Sequence, residues 1–295
     1  MPARDVFLVL CICLAWAGNF LTSKLALGEF PPLLFTTLRL VLLAAVLAAF
    51  VRRPAPGQWG RLVAVALCNG VLHFGLSFWS LRLSPNLAAP AILMQSYVPM
   101  ASLLAWWMLG ERFGWRTGAA IALSFCGVLV LGLDPDLLAH PEAALLMLVS
   151  AFFLALGTVL MRPLKGLDVF SQQGWTAIIG VGPLLAWSLL VEPLPLQAMR
   201  DASWVGWFGV VYAALVASLV GHGLFYVLMQ RHPVARVTPY LLFAPLLAAV
   251  LGIVVMHDQV GPRLWVGGAM VLGGVLAIAL RNYARARTPP PAVEV

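Results

Sequence analysis

Ten apolar runs follow one another along the chain, and short segments rich in proline and charge separate them. They cover approximately Val6–Leu27, Leu33–Val51, Leu62–Leu81, Leu87–Leu109, Thr117–Leu133, Ala143–Met161, Val169–Val191, Trp204–Gln230, Val234–Met256 and Leu264–Leu280. Each run is continuous and near the roughly 20 residues that a helix needs to cross a hydrocarbon core. A membrane barrel strand would alternate apolar and polar over about 10 residues. The pattern therefore predicts ten transmembrane helices. The joining segments hold the breakers: Pro31-Pro32, Pro54-Ala55-Pro56-Gly57, Pro85, Gly110, Pro135, Pro163, Pro193 with Pro195, Pro233 and Pro262. Short linkers imply antiparallel packing of consecutive helices. The first run is too long for a signal core and no small-residue cleavage site follows it, so it reads as a span.

Composition agrees. Hydrophobic residues make up 62% of the 295 and charged residues 10%, with mean hydropathy +0.96. A soluble domain is roughly 45–50% apolar and about 25% charged. Ten spans use nearly the whole chain and leave no room for a soluble catalytic domain. The net charge of +7 does not point to nucleic acid, because the basic residues sit singly or in pairs between apolar runs.

Those basic residues orient the chain instead. With the N-terminus inside, thirteen fall on the inner side: Arg4, Arg52, Arg53, Arg61, Arg112, Arg116, Arg162, Lys165, Arg231, Arg236, Arg281, Arg285 and Arg287. Only Arg82, Arg200 and Arg263 fall outside, and Lys24 and Arg39 lie within spans. The bias predicts two cytoplasmic termini in a multi-pass protein of the bacterial inner membrane. Cys11, Cys13, Cys68 and Cys126 all lie in apolar segments without ligand spacing, which predicts buried free thiols and no metal site.

The halves resemble each other. Offset by 147 positions, Glu111 falls on Asp258, Ala120 on Gly267, Gly127 on Gly274, Val128 on Val275 and Ala101 on Ala248. Offset by 148, Gly75-Leu76 falls on Gly223-Leu224, Phe78 on Tyr226 and Pro85 on Pro233. An odd number of spans per repeat inverts the second copy in the membrane. Inverted repeats are an architecture of secondary transporters, with the site near the midplane between them.

The stretch Trp16-Ala17-Gly18-Asn19-Phe20 with Lys24, Pro31-Pro32 and Arg39 resembles the opening of EamA-type transporters. Gly110-Glu111-Arg112 and Gly127 are similar to later marks of that family. Val220-Gly221-His222-Gly223, Arg236, Pro239, Pro245 and Asp258 are similar to its second copy. The resemblance covers about residues 6–280. It implies the drug/metabolite transporter superfamily, with ten helices as two inverted five-helix repeats, here 6–133 and 142–281. It also implies export of amino acids, aromatic ones among them, and related metabolites. One departure is that His257-Asp258-Gln259 stands in the second copy where the first has Gly110-Glu111-Arg112. The tail 288–295, with three consecutive prolines, is expected to be disordered.

No nucleophile–base pair, metal cluster or phosphate loop stands out, so the chain reads as no enzyme and needs no cofactor. The spans lack a midplane carboxylate of the kind that proton-coupled antiporters often use. Candidate substrate-binding residues are polar and aromatic. Helical spacing puts Trp16, Asn19 and Ser23 on one face of the first helix, His73 with Ser77 on the third and His222 with Tyr226 on the eighth. Gln95, Thr158 and Trp175 add further positions. Lys24 could snorkel to the outer interface. Arg39 could pair with an outer acid such as Glu29 or attract a substrate carboxylate.

Together these predict an exporter of small metabolites, neutral or aromatic amino acids foremost, working by alternating access. A nucleotide-sugar or other metabolite carrier and a channel-like protein are the alternatives. The expected partners are that solute and membrane lipid. The chain reads as a monomer, with Gly118/Ala122, Gly267 and Gly273-Gly274 as either internal packing or a dimer face.

Overall fold

The structure is a computed structural model that describes residues 2–193, 195–232 and 234–287. Among the described residues, ten helices are long and apolar enough to cross a membrane. They are α1 Ala3–Ala26, α2 Pro32–Phe50, α3 Trp59–Leu83, α4 Ala88–Leu109, α5 Trp115–Gly132, α6 Pro141–Met161, α7 Val169–Val191, α8 Trp204–Leu228, α9 Val237–Met256 and α10 Pro262–Ala284. The chain is an all-α integral membrane protein. Lipid offers no partner for backbone N–H and C=O groups, so helices that bond internally are the stable way across. Proline starts α2, α6 and α10, where its missing N–H costs nothing. Two short helices, Pro135–Ala139 and Pro195–Asp201, lie in linkers that the apolar runs left blank. Pro233 and the tail 288–295 lie outside the described residues. Of the thiols expected to be buried, Cys126 is exposed on α5.

Loops 27–31, 84–87, 133–140, 192–203 and 257–261 share one end of the bundle, the distal face. The N-terminus and the other loops share the proximal face. The packing has a two-fold logic. Helix α2 lies along α7 and α5 along α10, while α1 packs on α8 and α9 as α6 packs on α3 and α4. Each half thus lends its first helix to the other half.

The α5–α10 crossing shows why the repeat keeps its glycines. A Cβ on Gly127 would sit 2.7 Å from the Gly267 carbonyl oxygen and 2.7 Å from the Val271 nitrogen, and one on Gly274 would sit 2.6 Å from the Ala120 oxygen. Ala120/Gly267 and Gly127/Gly274 are the repeat-matched pairs, so one contact occurs twice about the axis. These small residues serve packing within the chain. Gly127→Ala pushes a methyl into backbone that cannot rotate away, and is expected to cost about 1–2 kcal/mol. Unfolding in mixed micelles measures this; no loss would show that the helices part freely.

The spans share several irregularities at matched places, and α9 adds an unmatched π segment at Gly252–Met256. Helix α3 is π-helical over Leu67–His73 and α8 over Tyr212–Gly221. Helix α4 breaks between Met94 and Tyr97, and α9 breaks at Leu242. Each second segment has proline at its third residue, Pro99 and Pro245, in a first turn where no N–H is missed. Both α4 and α9 end in a left-handed residue, Gly110 at φ 67° and His257 at φ 58°. The next N–H then bonds six residues back, Glu111 to Ala105 at 3.3 Å and Asp258 to Gly252 at 3.1 Å. This is the glycine-type helix stop, so the sequence departure at His257 keeps the cap geometry.

Charged groups staple the two faces. On the distal face Glu192 accepts from the Leu33 and Leu34 N–H groups, and Asp258 accepts from Leu87 N–H at 2.7 Å. Glu29 accepts from Ser203, at its N–H and at its hydroxyl. Lys24 does not snorkel. Its ammonium turns inward onto the carbonyl oxygens of Leu81, Arg82 and Ser84 at the end of α3. On the proximal face Asp5 holds Arg231 and His232, Arg162 pairs with Glu111, and Arg52 pairs with Asp168.

Candidate functional site

The midplane polarity gathers around the π segments of α3 and α8. A π-helical stretch loosens the regular i−4 ladder and leaves carbonyls that other groups can claim. On α8, Ser218 donates its hydroxyl to the Ala213 oxygen at 2.8 Å. The Ala217 oxygen accepts from the Trp16 indole N–H at 3.2 Å and from His222 Nδ1 at 3.2 Å, and Nδ1 also lies 3.2 Å from the Ser218 oxygen. Carbonyls only accept, so His222 Nδ1 carries the proton. The Trp16 ring stands 5.4 Å from the His222 ring and 6.1 Å from Phe225. Helix α1 of one half therefore meets the π segment of the other through its tryptophan.

Helix α3 repeats the device. The Ser150 hydroxyl of α6 donates to the His73 carbonyl oxygen at 2.9 Å. Its one proton is then used, so His73 Nδ1, 2.8 Å from Ser150 Oγ, is the donor of that pair. Like His222, neutral His73 keeps Nε2 as its acceptor. His73 is 4% exposed, and its ring lies tilted against Phe74 with centroids 4.7 Å apart.

Arg39 of α2 joins α3 and α8. Nη2 donates to Ser218 Oγ at 2.7 Å, and the guanidinium carbon lies 4.0 Å from the Phe74 ring centroid and 5.3 Å from that of Phe78. The side chain is 2% exposed, and Nε and Nη1 have no hydrogen-bond partner. The outer acid that spacing offered as its partner, Glu29, is engaged by Ser203 instead. Sequence spacing left this residue undecided and gave no sign of Ser150 or Ser218. The π segments that recruit those serines have no signature in apolar periodicity.

The other expected positions divide. Asn19 and Ser23 bond each other along α1, the Asn19 Oδ1 accepting from Ser23 at 3.3 Å, as the shared face implies. Ser77 and Thr158 return their hydroxyls to their own helices, at the Phe74 and Leu154 oxygens. Gln95 sits at the break of α4. Tyr226 packs edge-on against Phe170 rather than with His222. Trp175 lies at the proximal end, donating to the Arg52 oxygen at 2.8 Å and meeting Trp59 at 4.9 Å. A separate cavity of about 440 Å³ opens on the distal face, lined by Glu29, Trp79, Arg82, Glu192 and Asp201 among others, and by none of the ten expected residues.

Comparison with known proteins fits this architecture. The sequence pattern described as the EamA-like transporter family matches residues 4–133 and again 142–280. A Salmonella typhimurium protein named "Probable amino-acid metabolite efflux pump" is 27% identical, covering 97% of this chain and 99% of its own. A "Probable terminal-alkyne amino-acid exporter" of Streptantibioticus cattleyicolor is 25% identical over 97% and 96%. A crystal structure superposes on 98% of this chain and 100% of its own with a TM-score of 0.63 and 18% identity, a likeness of fold alone.

Proposed function

We propose, from the premise that this chain belongs to the EamA-like transporter family, that it exports neutral or aromatic amino acids across the bacterial cytoplasmic membrane by alternating access. Both termini then face the cytoplasm, in line with the basic residues of the proximal loops.

The observation that carries this reading is the occurrence of π segments at equivalent places in α3 and α8, flanked by Trp16 of α1 and Ser150 of α6, with Arg39 of α2 between the two helices. Irregular backbone near a two-fold axis lets one set of helices tilt against the other, which is the requirement of alternating access. Ring faces at Trp16, Phe74, Phe78 and Phe225 suit an apolar side chain, and histidine and asparagine suit its polar end. The relatives' printed names support the amino-acid class. A nucleoside diphosphate would need several cations. Among the described residues of the centre Arg39 is the cation present, since Lys24 is spent on α3.

Purified protein in liposomes, offered a panel of labelled amino acids, tests this. Saturable flux of at least one neutral or aromatic member is expected, and linear flux or none across the panel sinks it. Asn19→Ala and His73→Ala should each slow that flux by about tenfold, a lost buried hydrogen bond being worth about 1–3 kcal/mol. Unchanged rates would remove that residue from the site.

A further inference from the structure

We infer that Arg39 is an anion site that receives the carboxylate of the transported solute through its Nε and Nη1 donors. The inference rests on the amino-acid reading above and adds the group that decides which amino-acid-like molecules are carried.

The argument begins with an incomplete pairing. A guanidinium is always charged and carries five N–H donors. Here it is 2% exposed at the middle of the bundle. One neutral hydroxyl, Ser218, and two aromatic faces, Phe74 and Phe78, meet it. A buried cation without a counter-charge is costly, yet carboxylates of the distal face are held elsewhere. Glu29 caps the start of α8, Glu192 the start of α2 and Asp258 the start of α4. The compensating charge must then come from outside the chain.

Position favours the solute over a bulk ion. Arg39 lies between α3 and α8, which belong to opposite halves; it bonds Ser218 within the π segment of α8 and packs on Phe74, the residue just after the π segment of α3. Tilting one half against the other must change the space at its free donors. The two neighbouring histidines bind serine or backbone oxygen and carry no negative charge that would neutralise it. The Phe74 and Phe78 rings beside the guanidinium offer an apolar wall for the rest of the solute. Arginine is also the cation best matched to a planar carboxylate.

Two measurements test this on the full-length protein. In detergent, 3-phenylpropionate should raise the melting temperature of the wild type, and 3-phenylpropanol, which differs only in the charged end, should not. Arg39→Gln should abolish the shift and Arg39→Lys should retain part of it. In liposomes, phenylalanine should compete with flux at least about tenfold better than phenylalanine amide, a charge-assisted hydrogen bond being worth about that factor or more.

Equal effects of acid and alcohol, or of acid and amide, on the wild type would overturn the proposal without any variant, so a poorly folding Arg39→Gln does not rescue it. A carboxylate-specific shift that survives in Arg39→Gln would also overturn it. A shift lost in Arg39→Gln, in a protein that moves no amino acid, would keep the carboxylate site and discard the amino-acid reading.

Discussion

Replacing Glu192 with glutamine is expected to destabilise the folded protein by about 3 kcal/mol. The carboxylate is nearly buried and its oxygens accept three hydrogen bonds. These come from Leu33 N–H at 2.6 Å, Leu34 N–H at 3.0 Å and Ser188 Oγ at 2.5 Å. The first N–H groups of a helix have no partner within it, and negative charge there is favoured by the helix dipole. Pro31 stands where a capping serine or aspartate would otherwise be and offers no side-chain acceptor. Glu192, from the end of α7, therefore supplies from another helix what α2 lacks. Glutamine fills the same volume but turns an NH₂ toward one of those donors and removes the charge. Breaking a buried charged hydrogen-bond network of this kind costs about 3–5 kcal/mol when a partner is left alone. Retention of one acceptor oxygen places glutamine at the low end. Because α2 and α7 lie side by side along their length, the loss should appear as a lower midpoint in denaturant titration in micelles. A change below about 0.5 kcal/mol would mean that water reaches Leu33 and Leu34 and that the cap is superficial.

The Glu192 cap also marks the limit of what spacing along a chain discloses. The spans were legible because the bilayer imposes one length on every apolar run, and the observed helices differ from the runs mainly at their ends. Helix α1 begins at Ala3 instead of Val6, and α3 begins at Trp59 instead of Leu62. The offset repeat was legible through Gly127/Gly274 and Glu111/Asp258; the glycines make equivalent contacts, and Glu111 and Asp258 make equivalent backbone bonds although their carboxylates meet different partners. Same-helix neighbours were legible too, as Asn19 and Ser23 show. Partners across helices were not. Glu192 and Leu33 are 159 residues apart, and Arg39 and Ser218 are 179 apart. Helical periodicity places a side chain on a face but leaves open which neighbour that face meets. Trp175 shared the expected polarity of a site residue, yet it was drawn to the Arg52 carbonyl at the proximal end because the chain leaves α2 there. The π segments escaped for a related reason. Their carbonyls are satisfied by Trp16 and Ser150 from packing helices, so the register slip is stable only once those helices are in place.

Lys24→Met should show a loss of about 2–3 kcal/mol, and the reason separates two roles that a membrane lysine can have. A lysine reaching for headgroups would exchange for methionine at little cost, since the apolar stem is retained. Lys24 instead spends its three donors on three carbonyl oxygens, Leu81 at 2.8 Å, Arg82 at 3.1 Å and Ser84 at 2.6 Å. Those oxygens close α3, where the ladder has run out of N–H groups and the dipole favours positive charge. A hydrogen bond that involves a charged group contributes about 1.5–3 kcal/mol net of its exchange with water. Part of the lost pairing at Arg82 can be restored by solvent, because that contact is exposed. Lys24→Arg keeps the charge but is planar and longer, so it should recover only part of the stability. The same substitution should also slow transport. Helices α1 and α3 carry Trp16 and His73, and the staple sets the distance between their distal ends. Full stability in Lys24→Met would return the residue to the interface and leave α3 capped by other means. Full stability loss with unchanged flux per folded molecule would show that the staple holds the fold without positioning the site.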